Sequence, residues 1–534
     1  MVAKQFYLLG EPSTSARNVE FDEQLGLEGL QHWIAGHFAI VEPNGIGFQS
    51  SDNALNISDI LSTEEPIAIS IDGKPVREIP GPKGLPDSSS NTAPLIQTTN
   101  MGRTIYQTND PALSAIVFAE SDFFTKKIIE AHPLYPIKNK EAGVFLGDTD
   151  TPEWRAAHKF LPPALGPKAV RHYAPTMQAT VEDAFNVFDA LDEAGEAWNV
   201  YQYMLKLGAQ AVGKLVLGID FKHFGSPDAP LHELVHRIAE SLTLNKKVAA
   251  RGDWYANLPF GDPKKLRDAQ QRISEMVEES IANASSGGVE DLPLQDAALK
   301  ATHMIDYAIR AVDNKGEKLP KTSIMQALVV ATGAGFTTTS SLLSWLIYAL
   351  VTYDGMQERL LQELIDNDID ANTQITADLT DKLTFLDHFI KETQRRHNPS
   401  YQPARTAKVS MILPGGYKLP ADAVIIPALH HLHNNPVVWD NPARFDPDRW
   451  DTDAVRNRHK AAYIPFAAGP RMCIGFNFAL QEVKVFLPKL LFRYKFTREN
   501  DGPIEYDPMF QLIRPNNLYV RAERRVKWPP KTDA

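Results

Sequence analysis

The chain has one cysteine, Cys473, and the residues around it constrain the fold more than any other part of the sequence. A lone cysteine excludes an intramolecular disulfide and any zinc site built from two or more thiolates. If Cys473 takes part in chemistry, it does so as a single thiolate. The surrounding segment reads Phe466-Ala467-Ala468-Gly469-Pro470-Arg471-Met472-Cys473-Ile474-Gly475.

This segment contains what a thiolate needs in order to bind the iron of a flat macrocycle. Gly469 and Gly475 allow the backbone to approach the ring closely. Gly475 leads into a final helix, whose positive end and free N–H groups can face the sulfur and stabilise its charge. Arg471 provides a cation for the carboxylates of the ring. A lone cysteine is usually a buried structural residue, but the spacing Phe-x-x-Gly-x-Arg-x-Cys-x-Gly favours a ligand.

The spacing resembles the cysteine-ligand loop of the cytochrome P450 family, and the resemblance extends over residues 80–525. It implies that Cys473 is the axial ligand of haem b (iron protoporphyrin IX), with Phe466, Arg471 and Gly475 as further cofactor-binding residues. It also implies the cytochrome P450 fold, which is mainly α with a smaller β portion. Within the family, the chain is most similar to soluble fungal and bacterial haem domains of the fatty-acid-hydroxylase type, but without a fused reductase.

The domain organisation follows from where the resemblance begins. We predict a haem domain over residues 80–534, preceded by an N-terminal extension, residues 1–79, whose role the sequence does not indicate. Residues 67–71 predict a strand within this extension. The family usually has a first helix after its Pro-rich entry, and residues 87–93 are too few to hold it. That helix is therefore expected to be absent or replaced.

Glu392 and Arg395 lie at positions i and i+3 of a predicted helix, where they can form a bidentate ion pair. Such a pair more often lies on a solvated helix face. Here it resembles the Glu-x-x-Arg element of the family, and Arg449 matches the third member of that network. The resemblance implies that the three residues support the haem side of the fold.

A second match lies in the run Ala334-Gly335-Phe336-Thr337-Thr338-Thr339. Small residues let a ligand approach a helix, and hydroxyls can bond to carbonyls one turn earlier; a close helix crossing is the alternative. In the family this run lies over the distal face of the haem. Thr338 falls on the catalytic alcohol, and Thr337 replaces the acid that helps to relay protons to dioxygen. We predict both threonines as catalytic residues.

Three more residues resemble contacts of the haem propionates. Trp154 and His158 share one helix face at i and i+4, and Arg405 follows Pro399 and Pro403. His158 alone would more often be a surface residue. The predicted apolar substrate pocket consists of Phe145, Leu146, Ala331, Ala334 and Phe336.

The resemblance implies a monooxygenase that inserts one oxygen atom of O2 into an apolar substrate such as a lipid, a terpenoid or another secondary metabolite. Electrons would come from NADPH through a separate cytochrome P450 reductase or another donor. Because Thr337 replaces the acid, a haem-thiolate isomerase or peroxide-dependent enzyme stays open as an alternative. A non-catalytic haem binder is a second alternative, which the polar distal helix disfavours.

The net charge of −11 argues against nucleic-acid binding, which needs a clustered basic face. Residues 324–350 are long enough to span a bilayer, but their hydroxyl-rich middle favours a buried helix. We expect neither a secretory leader nor a transmembrane anchor, and a cytoplasmic location, free or peripheral to a membrane. In residues 430–433, His431 and His433 would share a face of a strand, and a structural role is favoured over a metal site.

Overall fold

The computed structural model describes residues 1–51, 53–81, 94–100, 103–139, 141–285, 290–400, 403–506 and 512–532. About 50% of the chain is helical and about 14% lies in strands. The predicted fold class, mainly α with a smaller β portion, is confirmed. The expected loss of a first helix at residues 87–93 falls outside the described residues.

The described residues form nineteen helices and seventeen strands, apart from short turns. The helices are α1 (Leu27–Phe38), α2 (Ile57–Ser62), α3 (Pro111–Phe118), α4 (Pro152–Phe160), α5 (Pro162–Leu165), α6 (Pro167–Ala194), α7 (Val200–Val212), α8 (Glu233–Ala250), α9 (Asp253–Ala256), α10 (Gly261–Ala284), α11 (Leu294–Lys300), α12 (Met304–Arg310), α13 (Lys321–Thr352), α14 (Met356–Asp366), α15 (Ala377–Thr380), α16 (Thr384–Arg396), α17 (Leu429–Leu432), α18 (Asp453–Arg456) and α19 (Phe476–Arg493). The strands are β1 (Val2–Leu8), β2 (Arg17–Phe21), β3 (Ile46–Ser50), β4 (Asn53–Ala54), β5 (Ile67–Ile71), β6 (Leu95–Asn100), β7 (Arg103–Thr108), β8 (Phe124–Thr125), β9 (Trp198–Asn199), β10 (Leu292–Pro293), β11 (Ala311–Val312), β12 (Arg405–Ala407), β13 (Met411–Leu413), β14 (Tyr417–Leu419), β15 (Val424–Pro427), β16 (Tyr494–Arg498) and β17 (Tyr519–Arg524).

These elements belong to two compact units. The first unit consists of Met1–His132, Gln402–Ala428 and Ala468–Arg471. The second consists of Pro133–Tyr401, Leu429–Ala467 and Met472–Ala534. The chain therefore leaves the first unit and re-enters it twice.

The N-terminal residues of the first unit form a sheet of their own, with the strand order β2-β1-β5-β3-β4. Strands β1 and β5 are parallel, and the other pairs are antiparallel. Helix α1 buries Leu30 and Ile34 in the same apolar cluster as Phe6 and Phe21 of the sheet. The first and last strands in sequence, β1 and β5, are thus parallel neighbours in the middle of a mixed five-stranded sheet, and a helix packs on that sheet. This arrangement is a β-grasp. The predicted strand at residues 67–71 is confirmed as its central strand β5.

This β-grasp is bonded to the hairpin formed by β13 and β14. The Val41 N–H donates to the Ile412 carbonyl at 3.1 Å, and the Ile412 N–H donates to the Ala39 carbonyl at 2.9 Å. At the other end of the hairpin, the Lys418 N–H donates to the Arg77 carbonyl at 3.0 Å. The Ile412 side chain is buried in the apolar cluster of the β-grasp. The hairpin thus completes a core that is otherwise made by the first 76 residues.

The second sheet of the first unit has the order β6-β7-β15-β12-β8. Strands β7 and β15 are parallel, in the register Ile105 with Val424. The apolar run Val424–Pro427 forms β15. Strand β12, between β15 and the edge strand β8, carries the buried Arg405, which pairs with Ile425 of β15.

The second unit is built around α13, which is 32 residues long. Its middle crosses α7 closely, because a Cβ on Gly208 would lie 2.7 Å from the Ser340 hydroxyl oxygen. A Cβ on Gly335 would lie 3.0 Å from a methyl group of Val212. The small residues of α13 therefore serve a helix crossing on one face. The most apolar 18-residue stretch of α13 is 72% buried, which is typical of a core helix. The length and composition of α13 would also suit a membrane span.

The histidine-rich segment differs from its prediction. Residues 429–432 form the helical turn α17 and not a strand, so the expected pairing of His431 with His433 on a strand face is wrong. His433 is buried, and its Nε2 accepts a hydrogen bond from the Ile464 N–H at 3.0 Å. Among the described residues, no group of three or more His, Cys, Asp and Glu side chains is placed to hold a metal ion. The contacts of His433 are those of a structural residue.

The contact between the β-grasp and the hairpin can be tested with Ile412→Ala. Removing this buried side chain should lower the free energy of unfolding of the first unit by about 2–5 kcal/mol, because a cavity is left in the core. Urea unfolding followed by circular dichroism measures the change. Val409→Ala is the matched control: its side chain is 43% exposed, and its effect should stay within about 0.5 kcal/mol. Equal effects of the two substitutions would contradict the packing of Ile412.

Candidate active site

The cysteine loop is held by its own backbone. The Cys473 N–H donates to the Phe466 carbonyl at 3.0 Å, which closes the loop. Gly469 has φ +73°, and a Cβ there would lie 2.2 Å from the Phe118 carbonyl oxygen. No residue with a side chain fits this position. Gly475 is the N-cap of α19, as the sequence predicted from its place before the last helix.

The surroundings of the sulfur suit a ligand atom. The Cys473 side chain keeps solvent-accessible surface, while protein atoms also lie around its sulfur. Burial raises the pKa of the Cys473 thiol, and a hydrogen bond from the Gly475 N–H acts in the opposite direction. The protein alone therefore favours the neutral thiol. A metal cation at the sulfur would reverse this preference, because coordination deprotonates a thiol.

The structure brings Glu392, Arg395 and Arg449 together. The Arg395 Nε and Nη2 donate to the two oxygens of Glu392 at 2.9 and 2.8 Å, and the Arg449 Nε donates to Oε1 at 3.0 Å. The Trp450 indole N–H (3.1 Å) and the Asp446 N–H (2.9 Å) complete the shell. The carboxylate is fully buried, so these five donors replace the water that it loses.

Arg395 has a second set of partners in the chain that leads to the cysteine loop. Its remaining N–H groups donate to the carbonyls of His433, Pro442 and Arg444 at 3.0 to 3.1 Å. Burial lowers the pKa of the Arg395 guanidinium, and Glu392 opposes that change. The network thus fixes residues 433–450 to α16.

Helix α13 has an accessible face and a buried face around its hydroxyl residues. Ala331, Ala334 and Thr338 lie on one face and keep accessible surface. Thr337 and Phe336 are buried, and Phe336 lies in the main apolar cluster of the unit. The structure therefore places Thr338 beside the two alanines of the predicted pocket and places Phe336 in the core.

The α4 residues lie as the sequence predicts. The rings of Trp154 and His158 are 4.8 Å apart on one helix face. The loop that carries Phe145 and Leu146 is packed onto the start of α4, since a Cβ on Gly143 would lie 2.6 Å from the Glu153 backbone. Phe145 is exposed and Leu146 is half-buried.

Arg405 and Arg471 belong to the first unit. Arg405 is buried, with Nε 3.4 Å from a Glu120 oxygen and Nη1 donating to the Ala404 carbonyl. Its Nη2 has no hydrogen-bond partner among the described residues. Burial lowers the pKa of Arg405 to about 10, against the attraction of Glu120. A buried guanidinium with spare donors fits an anionic ligand such as a carboxylate. Arg471 is half-exposed.

Two residues at this site were missed in the sequence. Trp450 follows Arg449 directly and joins the shell of Glu392. Glu482 is a fully buried carboxyl on α19, and neither of its oxygens has a hydrogen-bond donor among the described residues. The signal for Glu482 was its place on the apolar face of the last helix, one turn after Phe478 and one turn before Phe486.

Comparison with known proteins identifies the same family that the cysteine loop resembles, over most of the chain. The sequence model of the cytochrome P450 family matches residues 93–521. The chain is 44% identical to cytochrome P450 monooxygenase alnD of Emericella nidulans, over the full length of both proteins. It is 26% identical to human cytochrome P450 4F3 over 70% of this chain and 72% of that protein.

The fold matches as well. The crystal structure of the cytochrome P450DA heme domain superposes with a TM-score of 0.74 at 22% identity, covering 84% of this chain and 98% of that one. The expected cytochrome P450 fold is confirmed. With its cysteine loop, its buried Glu392 network and its full-length relative, the chain belongs to the cytochrome P450 family, as a haem-thiolate monooxygenase with haem b as its cofactor.

Proposed function

We propose that this enzyme inserts one atom of O2 into an apolar substrate, a lipid, a terpenoid or another secondary metabolite, and releases the other atom as water. The observation that carries the proposal is the cysteine loop, in which an accessible sulfur lies against the N-terminus of α19. Two electrons and two protons are consumed in each turnover. Haem b, when bound at Cys473, supplies the oxygen chemistry, and the thiolate favours cleavage of the O–O bond.

The residues around the cofactor are assigned by their surroundings. Cys473 binds the iron, while the Gly475 N–H and the positive end of α19 stabilise the thiolate charge. Phe466 accepts the hydrogen bond that closes the loop. Arg405 and Arg471 are proposed to pair with carboxylates of the ring, and for Arg405 the buried spare donor supports this role.

Trp154 and His158 are proposed to bind the same type of carboxylate from α4. Their shared face and the contact between their tilted rings support a joint role. The indole N–H and a ring nitrogen of histidine are both hydrogen-bond donors.

The substrate pocket is proposed along the accessible face of α13. Ala331 and Ala334 leave room beside that helix, and Phe145 and Leu146 provide apolar surface. Pockets of this kind are lined mainly by apolar groups, with few polar groups to orient the ligand. Thr338, on the same face, is the proposed catalytic alcohol, and the buried Thr337 is its neighbour on the helix. Phe336, which is buried in the core, is proposed to shape the pocket from the other side of α13.

We also propose a separate NADPH-dependent reductase as the electron donor, and a cytoplasmic location, free or peripheral to a membrane. The family generally uses a redox partner.

The reaction can be tested by reconstitution. The purified holoprotein with reductase, NADPH and O2 should oxidise a fatty acid or a terpenoid drawn from a panel, with mass spectrometry detecting a gain of one oxygen atom. A parallel assay supplies a hydroperoxide in place of reductase and NADPH. Turnover in the hydroperoxide assay alone would contradict the reductase-dependent reaction.

The iron ligand is tested by Cys473→Ser. The reduced, carbon-monoxide-bound wild-type protein should have a strongly red-shifted Soret band, because the Cys473 thiolate would ligate the iron. The substitution should abolish this shift. Met472→Leu, one residue away and partly exposed, should retain it. A shifted band in the serine variant would overturn the assignment of Cys473.

The structural network is tested by Glu392→Gln. The substitution keeps the shape of the side chain but leaves the buried Arg395 charge uncompensated, which should lower stability by about 3–5 kcal/mol. Thermal unfolding and the yield of the red-shifted carbon-monoxide band measure the effect. Glu278→Gln, on the exposed face of α10, controls for the loss of a negative charge and should change neither quantity. A stable Glu392 variant would show that the network is not needed.

A further inference from the structure

Helix α4, which carries two of the proposed cofactor contacts, is tied down at its C-terminal end. The Lys159 Nζ donates to the Asp313 Oδ2 at 2.5 Å. The carbonyl of the next residue, Phe160, accepts a hydrogen bond from the buried Tyr307 hydroxyl of α12, also at 2.5 Å. Two consecutive residues of α4 are therefore bonded to the stretch of chain that leads into α13.

The two carboxylate oxygens of Asp313 hold different parts of the chain. Oδ2 accepts the hydrogen bond from Lys159, while Oδ1 accepts those of the Lys315 and Glu317 N–H groups at 2.8 and 2.9 Å. The Asp313 side chain is only 1% exposed, so it depends on these donors in a way that an exposed ion pair does not. The hydrogen bond from Lys159, supported by the Glu317 N–H, lowers the pKa of Asp313 to about 2. The carboxylate is thus charged at neutral pH and joins the end of α4 to the turn at residues 313–317.

The start of α4 is held through the loop that precedes it. A Cβ on Gly143 would lie 2.6 Å from the Glu153 backbone, so this loop packs directly on the first turn of α4. In the same loop, the Asn139 side-chain amide donates to the Gln326 Oε1 of α13 at 2.9 Å. Residues 313–326 therefore contact α4 at its end through Asp313, and the loop at its start through Gln326.

These contacts decide where α4 lies. With nine residues, the helix is too short to be stable by itself, so packing and hydrogen bonds set its position. Trp154 and His158 lie on one face of it, with their rings 4.8 Å apart. His158 is the neighbour of Lys159 in the sequence, so a shift of the last turn of α4 moves His158 as well. A displacement of about 1 Å is enough to impair a positioned group.

We propose that Asp313 and Gln326 are positioning residues that clamp α4 to the beginning of α13. The clamp holds Trp154 and His158 where they can bind a carboxylate of the cofactor, and Asp313 and Gln326 act only through α4 and its loop. Because the same stretch of chain continues into α13, the clamp also fixes α4 relative to the helix that carries Thr338. The inference rests on the proposed cofactor contacts of α4 and deepens them.

Asp313→Asn separates the clamp from the turn. The amide oxygen can still accept the N–H groups of Lys315 and Glu317, but its NH2 group would face the Lys159 ammonium, and both of these groups are donors. The holoprotein should lose haem on the order of 10-fold faster, the lower end for loss of a group that supports a metal centre. Transfer of haem to apomyoglobin, followed at the Soret band, measures the rate. The far-ultraviolet circular dichroism spectrum should match that of the wild type.

Variants of Lys159 test the same contact from its exposed side. Lys159→Met should reproduce the faster loss of haem, with little further change when it is combined with Asp313→Asn. Lys159→Arg keeps a cation within reach of Oδ2 and should keep the wild-type rate. Asp291→Asn is the matched control, because Asp291 pairs with Lys318 of the segment before α13 and not with α4. It should leave the rate unchanged.

Gln326→Leu tests the other end of the clamp. It removes the acceptor of the Asn139 amide and should also speed the loss of haem. Because the two ends of α4 are held by separate contacts, Gln326→Leu combined with Asp313→Asn should lose haem faster than either variant alone.

Two further readouts separate positioning from general stability. Hydrogen exchange of the α4 amides should be faster in Asp313→Asn than in the wild type, while exchange in α10 should be unchanged. The reduction potential of the haem should fall, because a ring carboxylate that loses its donors has more uncompensated negative charge. A purely structural ion pair would not change this potential at equal haem content.

Wild-type haem loss and wild-type exchange in α4 for both Asp313→Asn and Lys159→Met would overturn the clamp. Faster exchange in α4 without any change in haem loss or potential would instead overturn the cofactor contacts on which the inference rests. In that case His158→Leu would also leave the loss of haem unchanged, which identifies the step that failed.

Discussion

The buried carboxylate of Glu392 is the interaction on which the cysteine side of the second unit depends. A charge with no exposed surface must be surrounded by donors, and these donors come from two separate stretches of chain: Arg395 on α16, and the 446–450 segment with Asp446, Arg449 and Trp450. A buried ion pair contributes little net stability in comparison with well-packed apolar residues of similar volume. What it contributes here is geometry, since the direction of each N–H group is fixed by the position of one carboxylate.

That geometry continues towards Cys473 through further buried polar contacts. The Tyr463 hydroxyl donates to the Gln394 side chain at 3.0 Å, one residue from Arg395 on α16. The Ile464 N–H donates to His433, whose carbonyl also binds Arg395. The start of the cysteine loop is therefore connected to α16 by hydrogen bonds at two neighbouring residues. A thiolate ligand has to be presented at one distance and angle, and this chain of contacts limits how far the loop can move.

The parts of the site that could be predicted from the sequence are those whose chemistry is local. The cysteine loop and the Glu392–Arg395 pair each fit within ten residues, so spacing alone indicates them. Phe336 was expected in the pocket because it is apolar and close to Thr338 in sequence, but a helix turns by 100° per residue and places it in the core. The predicted strand pairing of His431 with His433 was wrong because the short apolar run of β15 does not show where the strand ends. Glu482 was missed because the helices packed against α19, among them α6 and α13, lie far away in the sequence.

The β-grasp was beyond prediction for the same reason, and it changes how the N-terminal residues relate to the rest of the chain. Its central pairing joins β1 to β5 across sixty residues, and its core is completed by Ile412, more than three hundred residues further on. The family match begins only at residue 93, whereas the hairpin that carries Ile412 lies inside that match. The predicted domain boundary at residues 79 and 80 stays a prediction, but the packing of the first unit crosses it. Because closing so long a loop costs conformational entropy, the contact of Ile412 with the β-grasp depends on the backbone hydrogen bonds that hold the hairpin against residues 39–41 and 77.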